Sequence, residues 1–137
     1  MPNAQIEVAE GAPTLQSYTD NGDGTVTDDV TKLVWEQLTP SSDFTQAAAL
    51  AYCAGLDLGG YQDWRLPAVM ELVSIVDTGT YNPSIDSTMF PGTPAVGFYW
   101  SSTVFAGLAG DMWGVYFNNG YMDYNDTSLL YSVRCVR

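Results

Sequence analysis

The 137-residue sequence has only two short stretches in which apolar residues recur at helical spacing, and this scarcity of helix constrains its fold more than any other feature. The first stretch runs from Phe44 to Cys53, between the capping residues Ser41–Asp43 and the stop signal Gly55. The second follows Pro67, a residue favoured in the first turn of a helix, and its apolar stripe runs from Val69 to Val76. The remaining chain must therefore form strands and irregular segments.

Turn signals predict a β-hairpin ahead of the first helix. Asn-Gly and Asp-Gly dipeptides occupy Asn21–Gly24, and the β-branched residues after them place Thr25–Thr27 against Leu33–Glu36. Beyond Asp77 the sequence changes to Pro, Gly, Ser, Thr and aromatic residues. This composition predicts a long irregular stretch that ends in Phe98–Thr103.

The C-terminal part of the chain is predicted to be mainly β. Large apolar residues occupy alternate positions of Trp113–Phe117, so a strand there places them on one face. Asn119-Gly120 then turns the chain into a strand at Tyr121–Tyr124, and Leu130–Val136 is predicted to be the last strand. A hairpin, two helices, an irregular middle and late strands together predict an α+β domain.

Composition narrows the classes of function. Acidic residues outnumber basic ones by 16 to 4, and the net charge of −12 disfavours a nucleic-acid partner. Histidine is absent, which removes imidazole catalysis and every histidine-containing zinc site. The chain has neither a long apolar run nor the basic start and apolar core of a signal peptide, so we expect no membrane span. We expect one domain at residues 18–137, preceded by an arm or linker at residues 1–17.

The two cysteines, Cys53 and Cys135, are 82 positions apart and lack the CxxC neighbours of a metal site. A disulfide is the preferred interpretation, and two buried free thiols are the alternative. The bond would tie the last strand to the first helix and contribute on the order of 4 kcal/mol in the loop-entropy model. If it forms, it favours a cell-surface, secreted or virion-associated protein, because such bonds persist in oxidising compartments.

The acidic string Asp20–Asp28, DNGDGTVTD, has two interpretations. Carboxylates spaced around glycines are able to wrap a calcium ion. The glycines are in the wrong register for a helix-loop-helix calcium site, however, and a β-pattern follows instead of a helix. Turn formation is therefore preferred, and we expect no metal ion and no other cofactor.

Aromatic residues are concentrated near the C-terminus. Strand alternation assigns Trp113 and Phe117 to the core, which leaves Tyr116, Tyr121 and Tyr124 as the exposed rings. Rigid, amphipathic tyrosines among Asn, Ser, Gly and Asp are typical of binding surfaces. The alternative is a tyrosine-rich surface with no ligand.

Four strings occur in a distinctive order: DNGDGTVTD, LGGYQDWRLP at Leu58–Pro67, YWSST at Tyr99–Thr103 and VRCVR at Val133–Arg137. In this combination they resemble the collagen-like adhesin (Lcl) C-terminal domain family over about residues 18–137. The resemblance implies a C-type-lectin-like fold, with two helices, antiparallel β-hairpins and long irregular loops. It also implies a bond between Cys53 and Cys135, where the family's first-helix and last-strand cysteines fall. Sulfatase activators carry a similar RLP string, but their active-site cysteine pair is missing here, and we expect no enzyme.

The chain also resembles a lectin-like group, the variable proteins of diversity-generating retroelements. Their adenine-directed mutagenesis of Asn codons cannot produce Lys, Glu or Gln. Residues 101–133 contain none of these three, whereas the rest of the sequence contains ten. Met112, Trp113 and Met122 are also out of reach of this mutagenesis, which makes them framework positions. The resemblance implies a diversified ligand-binding surface made of Phe105, Gly107, Leu108, Asp111, Gly114, Tyr116, Asn118, Tyr121, Asp123, Tyr124, Asn125, Asp126 and Ser128.

We therefore expect a receptor-recognition domain that binds a protein or a surface glycan through this diversified surface. The alternative is an adhesin domain of fixed specificity that binds surface carbohydrate. Sulfated polysaccharide is disfavoured, because the net negative charge repels polyanions and residues 66–133 contain no Lys or Arg. Calcium-dependent sugar binding is disfavoured too, since the Glu-Pro-Asn and Gln-Pro-Asp ligand strings are missing from the sequence.

Overall fold

Two antiparallel three-stranded sheets and two helices make up the computed structural model, which describes residues 16–107 and 109–137. The predicted α+β class is confirmed. Most of the predicted N-terminal arm lies outside the described residues, so its boundary stays a prediction. The side-chain amide of Gln16 donates hydrogen bonds to the carbonyl oxygens of Ser74 and Val76, which ties the first described residue to the domain.

The N-terminal sheet contains β1 (Tyr18–Asp20), β2 (Thr25–Asp28) and β3 (Val34–Glu36), in that order. The pairing of β2 with β3 confirms the predicted hairpin, and β1 is a strand that the sequence analysis missed. Its three residues are too few to show alternation.

The carboxylates of the Asp20–Asp28 string take part in turns. Asp20 accepts a hydrogen bond from the backbone N–H of Gly22, and Asp23 accepts one from that of Thr25. Asp28 does the same for Val30. These local bonds support turn formation over the calcium interpretation. Among the described residues, no cluster of three or more Cys, Asp or Glu side chains is placed to hold a metal ion.

The first helix, α1, spans Gln46–Ala54 and ends at Gly55, as predicted. Its N-cap is Thr45, whose hydroxyl accepts a hydrogen bond from the backbone N–H of Ala48, and not a residue of Ser41–Asp43. The correction has a tertiary cause: Phe44 exchanges two backbone hydrogen bonds with Tyr131, and this pairing holds Phe44 extended. The helix begins only after that residue.

The second helix, α2, spans Val69–Ser74. Pro67 precedes its N-cap residue, Ala68, and so lies outside the first turn in which the sequence analysis placed it. The Glu71 carboxylate accepts a hydrogen bond from the backbone N–H of Ala68 and forms a salt bridge of 2.7 Å with Arg65. Glu71 therefore stabilises the start of the helix, where an acidic side chain also suits the helix dipole.

The C-terminal sheet contains β4 (Phe98–Val104), β5 (Asp111–Tyr116) and β6 (Tyr121–Asp126), with β5 in the centre. The predicted turn at Asn119-Gly120 is confirmed, and Gly120 adopts the positive φ of 81° that the turn needs. Phe98–Val104 is a strand and not the end of an irregular stretch.

The predicted last strand, Leu130–Val136, is not a regular strand. It forms isolated bridges instead: Tyr131 with Phe44, Ser132 with Tyr99, and Val136 with both Trp35 and Arg65. The segment passes between other parts of the chain, and its backbone pairs with a different partner segment every few residues. Continuous pairing along one neighbouring strand is therefore prevented.

Between α1 and α2, the first half of β4 and part of β5 are buried on both faces, whereas β6 is largely exposed. On one face, Tyr99, Val115 and Phe117 pack in a core cluster with Leu72 of α2. On the other face, a second cluster is formed by Ala49, Cys53, Phe98, Trp100 and Cys135. Both helices contact β4, so this sheet is the middle layer of the domain.

A disulfide joins Cys53 of α1 to Cys135 in the C-terminal segment. Both residues are completely buried, and their Cα atoms are 5.5 Å apart. The predicted bridge is confirmed over the alternative of two free thiols. It holds the C-terminal segment against the helix, and so stabilises the residues on either side of Cys135.

Arg134 is a buried cation that the sequence analysis did not single out. Its guanidinium donates hydrogen bonds to the carbonyl oxygens of Glu36 and Gln37 and to the hydroxyls of Thr39 and Thr93. It therefore links the C-terminal segment to the end of β3, to the residues that follow β3, and to the segment that precedes β4. No helix among the described residues is long and apolar enough to cross a membrane.

Candidate ligand-binding site

An open pocket of about 280 Å³ lies at the end of the C-terminal sheet where β4 begins and β5 ends. Its lining combines aromatic rings, small residues and one carboxylate. The lining residues are Asp43, Pro94, Val96, Gly97, Phe98, Tyr116, Tyr131 and Ser132. We call it the tyrosine pocket, after Tyr116 and Tyr131.

Strand register and ring packing position the two tyrosines. Tyr116 pairs with Phe98 of β4, and the ring centroids of these two residues are 4.9 Å apart. The Tyr131 ring lies 4.8 Å from Phe98 on the same face of the sheet, and its backbone is held by Phe44. Because Phe98 is itself buried, it fixes both rings from below. The pocket is thus preformed by the fold.

Hydroxyl and carboxylate groups give the pocket its polarity. Burial of the Tyr131 ring, the nearby Tyr116 hydroxyl and the charge of Asp123 together raise the pKa of Tyr131 above its ordinary value. Like any tyrosine with an ordinary or raised pKa, Tyr131 is protonated at neutral pH, and its hydroxyl is able to donate a hydrogen bond. Asp43 adds an acceptor at the pocket.

The surface continues from the pocket onto β6. Tyr121 pairs directly with Tyr116 and is 70% exposed. Asp123, two residues further along β6, lies on the same face and is exposed. The side-chain amide of Asn125 donates a hydrogen bond of 3.3 Å to the Tyr116 hydroxyl. Tyr116, Tyr121, Asp123 and Asn125, all predicted site residues, thus share one continuous face with the tyrosine pocket.

Other predicted site residues lie on the opposite face of the sheet. Phe105 stacks on Tyr124 with 3.8 Å between ring centroids, and both rings contact Trp113. Trp113 packs against the core cluster as predicted but is only partly buried, whereas the burial of Phe117 is confirmed. Tyr116, expected to be exposed, is half-buried by its packing on Phe98.

Two predicted binding residues are buried and offer no side chain to a ligand. Asp111 is almost fully buried at the start of β5. Gly114 faces β4 so closely that a Cβ atom there would lie under 3.0 Å from the Phe98 ring and the carbonyl oxygen of Tyr99. Both are corrections to the predicted surface, because strand alternation cannot show which polar or small positions are covered.

The remaining predicted residues lie at the ends of the strands. Gly107 is exposed in the turn between β4 and β5, and Leu108 falls outside the described residues. The side-chain oxygen of Asn118 is buried. Asp126 accepts hydrogen bonds from the backbone and hydroxyl of Ser128, so these two exposed residues form a local turn. The predicted residues therefore do not converge on one site.

Of the eight lining residues, the sequence analysis selected only Tyr116 and missed seven, among them Asp43, Val96 and Tyr131. Asp43 was interpreted as a helix cap, and Tyr131 as part of the last strand. They are far apart in the chain, and the pairing of Phe44 with Tyr131 is what brings them together. The sequence carried no signal for this contact.

The disulfide, the C-terminal sheet and the C-terminal segment all lie in a part of the chain that matches a known family. The sequence model of the Lcl C-terminal domain matches residues 24–137, which is most of the chain. The chain belongs to the Lcl C-terminal domain family. The match includes the pocket, both described faces of the C-terminal sheet and the disulfide. No curated protein matches the chain.

The Lcl C-terminal domain has its four basic side chains away from the tyrosine pocket. Arg65 pairs with Glu71, and Arg137 pairs with Asp63. Arg134 is buried, and Lys32 is exposed in the loop between β2 and β3. The tyrosine pocket and the adjoining face of β6 therefore present aromatic rings, phenol hydroxyls, an amide and carboxylates, a set suited to holding a ligand by contact and hydrogen bonding.

Proposed function

We propose that this Lcl C-terminal domain is a non-catalytic, ligand-binding module that recognises a protein or a surface glycan through the tyrosine pocket and the adjoining face of β6. The observation that carries the proposal is the continuity of a preformed, open pocket with the exposed Tyr121. Rigid tyrosines supply contact area and hydrogen bonds at low cost in conformational entropy.

The frame behind this face is suited to the role. Tyr116 and Tyr131 rest on the buried Phe98, and the Cys53–Cys135 disulfide anchors the C-terminal segment. Because these contacts exist before a ligand arrives, little ordering is required on binding. The disulfide favours an oxidising compartment and supports a site of action outside the cytosol.

The finer proposal is a C-type-lectin-like variable protein of a diversity-generating retroelement. Its support is the absence of Lys, Glu and Gln from residues 101–133 and the exposure of Tyr121, Asp123 and Tyr124 on a hairpin beside framework residues. Gly114 and Asp111 are excluded from the diversified set by their burial. The test is the neighbouring DNA, where a reverse-transcriptase gene and a near-copy of the 3′ coding end are expected. Neither would be found if the sequence of the surface is fixed.

The second candidate is an adhesin domain of fixed specificity for carbohydrate, and the family match supports the adhesin-like part of this candidate. Aromatic faces next to carboxylates and an amide, as at Tyr116, Tyr131, Asp43 and Asn125, also suit a sugar. The sequences of closely related chains separate the two candidates. A fixed-specificity adhesin keeps Tyr116, Tyr121 and Asp123, whereas a diversified surface varies at all three positions.

Binding itself is tested by probing the folded domain against a glycan array and a displayed peptide library. Ligands recovered with the wild-type domain are then measured against two tyrosine variants. Tyr121→Ala should weaken binding at least about fivefold, because tyrosines that a ligand buries are frequent hot spots and Tyr121 pairs with Tyr116 of the pocket. Tyr81→Ala is the matched control, since Tyr81 is 76% exposed and does not line the pocket.

Equal binding by both variants would contradict the proposed surface. We also expect binding to persist in excess chelator, because the acidic string Asp20–Asp28 is engaged in turns and its carboxylates accept backbone hydrogen bonds. Loss of binding that calcium restores would instead favour a metal-dependent lectin mechanism.

A further inference from the structure

One basic side chain of the domain, that of Arg137, is held in place by an aromatic ring and a carboxylate. The Arg137 guanidinium lies 3.6 Å from the centroid of the Tyr61 ring. The same guanidinium donates hydrogen bonds of 2.5 and 3.0 Å to the carboxylate of Asp63. A tyrosine face and a carboxylate together therefore bind a cation here by cation–π attraction and ion pairing.

The tyrosine pocket offers the same two kinds of group. Tyr116 and Tyr131 contribute aromatic rings, and Asp43 contributes a carboxylate to the lining. Asp123 lies close enough for its charge to raise the pKa of Tyr131. None of the described residues that line the pocket is Lys or Arg. The local charge is therefore negative, with no cation of the chain's own in the lining.

The size of the pocket and the net charge of the domain further restrict the class of ligand. A volume of about 280 Å³ is at the small end for ligand pockets, and it suits one side chain better than a large cofactor. The net charge of −12 repels polyanions and steers basic partners toward the domain. The exposed Tyr121 beside the pocket provides the flat aromatic contact that protein interfaces favour.

We propose that the tyrosine pocket binds a lysine or arginine side chain presented by a basic segment of a protein partner. The proposal rests on the proposed ligand-binding function and names the chemistry of its ligand. The cationic group lies against the rings of Tyr116 and Tyr131 and pairs with the carboxylate of Asp43. Neighbouring residues of the partner contact Tyr121.

The test is an NMR titration of the ¹⁵N-labelled domain with short blocked peptides. The probes are a tripeptide of arginine, one of lysine, one of glutamate and one of glycine, together with a neutral oligosaccharide. Arginine and lysine peptides should shift the backbone amides of Gly97, Phe98, Tyr116 and Tyr131 in a saturable manner. Raising the salt concentration from 20 mM to 500 mM should weaken this binding, because a partly exposed ion pair is screened.

Two charge variants make the test specific. Asp43→Asn should weaken binding of the arginine peptide about two- to fivefold, as expected for loss of one partly exposed ion pair. Asp57→Asn removes the same charge from a residue outside the pocket lining and should leave the affinity unchanged. If both variants weaken binding equally, the net charge of the domain alone would explain the attraction, and the proposal would be overturned.

The remaining outcomes are also decisive. Shifts of equal size with glutamate or glycine peptides, or no saturable shift with either basic peptide, overturn the cation proposal. Shifts at the same amides with the neutral oligosaccharide alone overturn it as well, yet leave the proposed ligand-binding function standing. If the glycan array and peptide library also yield no ligand sensitive to Tyr121→Ala, the proposed function fails separately.

Discussion

Replacing Gly114 with alanine tests whether the middle of β5 is as closely packed as the structure indicates. A Cβ atom at this position lies under 3.0 Å from the carbonyl oxygen of Tyr99 and the ring of Phe98. The carbonyl oxygen belongs to the backbone of β4, which is paired with β5 on either side of Gly114. The new methyl group therefore has no flexible neighbour that simply rotates away.

The expected loss follows from these contacts. Overpacking a well-packed core costs typically about 1–3 kcal/mol, and backbone obstruction places Gly114→Ala at or above the top of that range. Alanine also reduces the entropy of the unfolded chain, and this effect stabilises the folded state by roughly 0.4–1 kcal/mol and offsets part of the loss. We therefore expect a net decrease in the free energy of unfolding of about 2 kcal/mol or more, measured by urea denaturation.

Gly55→Ala is the matched control. Gly55 follows α1 and has a negative φ of −98°, and its added Cβ would meet the carbonyl oxygens of Ala51 and Tyr52 at ordinary distances of 3.5 and 4.0 Å. Its free energy of unfolding should be unchanged or raised by up to about 1 kcal/mol. If Gly114→Ala is as stable as this control, the close packing of β5 on β4 is wrong.

In a library randomised at position 114 and selected for folding, we expect glycine to be recovered.

Three further predictions concern stability. Alkylation of the native protein without reductant should label neither Cys53 nor Cys135, and reduction should lower the melting temperature, with a loss on the order of 4 kcal/mol; labelling of both would contradict the disulfide. Burial raises the pKa of Glu36 above its ordinary 4.5, so its contribution is greatest below pH 4.5 and is lost as pH rises through the folded-state pKa. Urea denaturation from pH 4.5 to 7 should therefore show Glu36→Gln gaining stability relative to wild type, and a constant difference would refute the shift. Tyr121→Ala should cost under about 1 kcal/mol and Trp113→Ala about 2 to 4 in the same assay, because Tyr121 is largely exposed and Trp113 packs against the core; equal losses would contradict the assignment of faces.

Local signals predicted much of the fold, because turns and caps depend on neighbouring residues. The hairpin of β2 and β3, the end of α1 at Gly55 and the turn at Asn119-Gly120 were all predicted from short patterns. Glycine, asparagine and aspartate restrict the backbone wherever they occur. Such features need no knowledge of distant contacts.

Strand β4 was missed for a physical reason. Phe98, Tyr99, Trp100 and Ser101 are all buried, because one core cluster covers each face of the sheet. A strand covered on both faces has no alternation of apolar and polar residues, and it reads as a continuous apolar run. The same two-sided burial explains why Gly114 and Asp111 were wrongly assigned to an accessible surface.

The proposed binding face shows the same division between local and distant causes. Tyr116, Tyr121 and Asp123 were selected from the sequence, since a hairpin around Asn119-Gly120 places them on one face by alternation and pairing. Asp43 and Tyr131 were not, because the backbone pairing of Phe44 with Tyr131 joins segments that are distant in the chain.

The amino-acid sequence alone determined the α+β class, the acidic character and the turns, because each follows from composition or from neighbouring residues. Its cysteines and motif strings also indicated the disulfide and the family before any contact was known. Only the tertiary structure decided which tyrosines are open to a ligand and that Asp43 joins Tyr116 and Tyr131 in one pocket. Exposure and proximity depend on how the C-terminal segment packs between the first helix and the sheet, and the spacing of residues along the chain does not encode that packing locally.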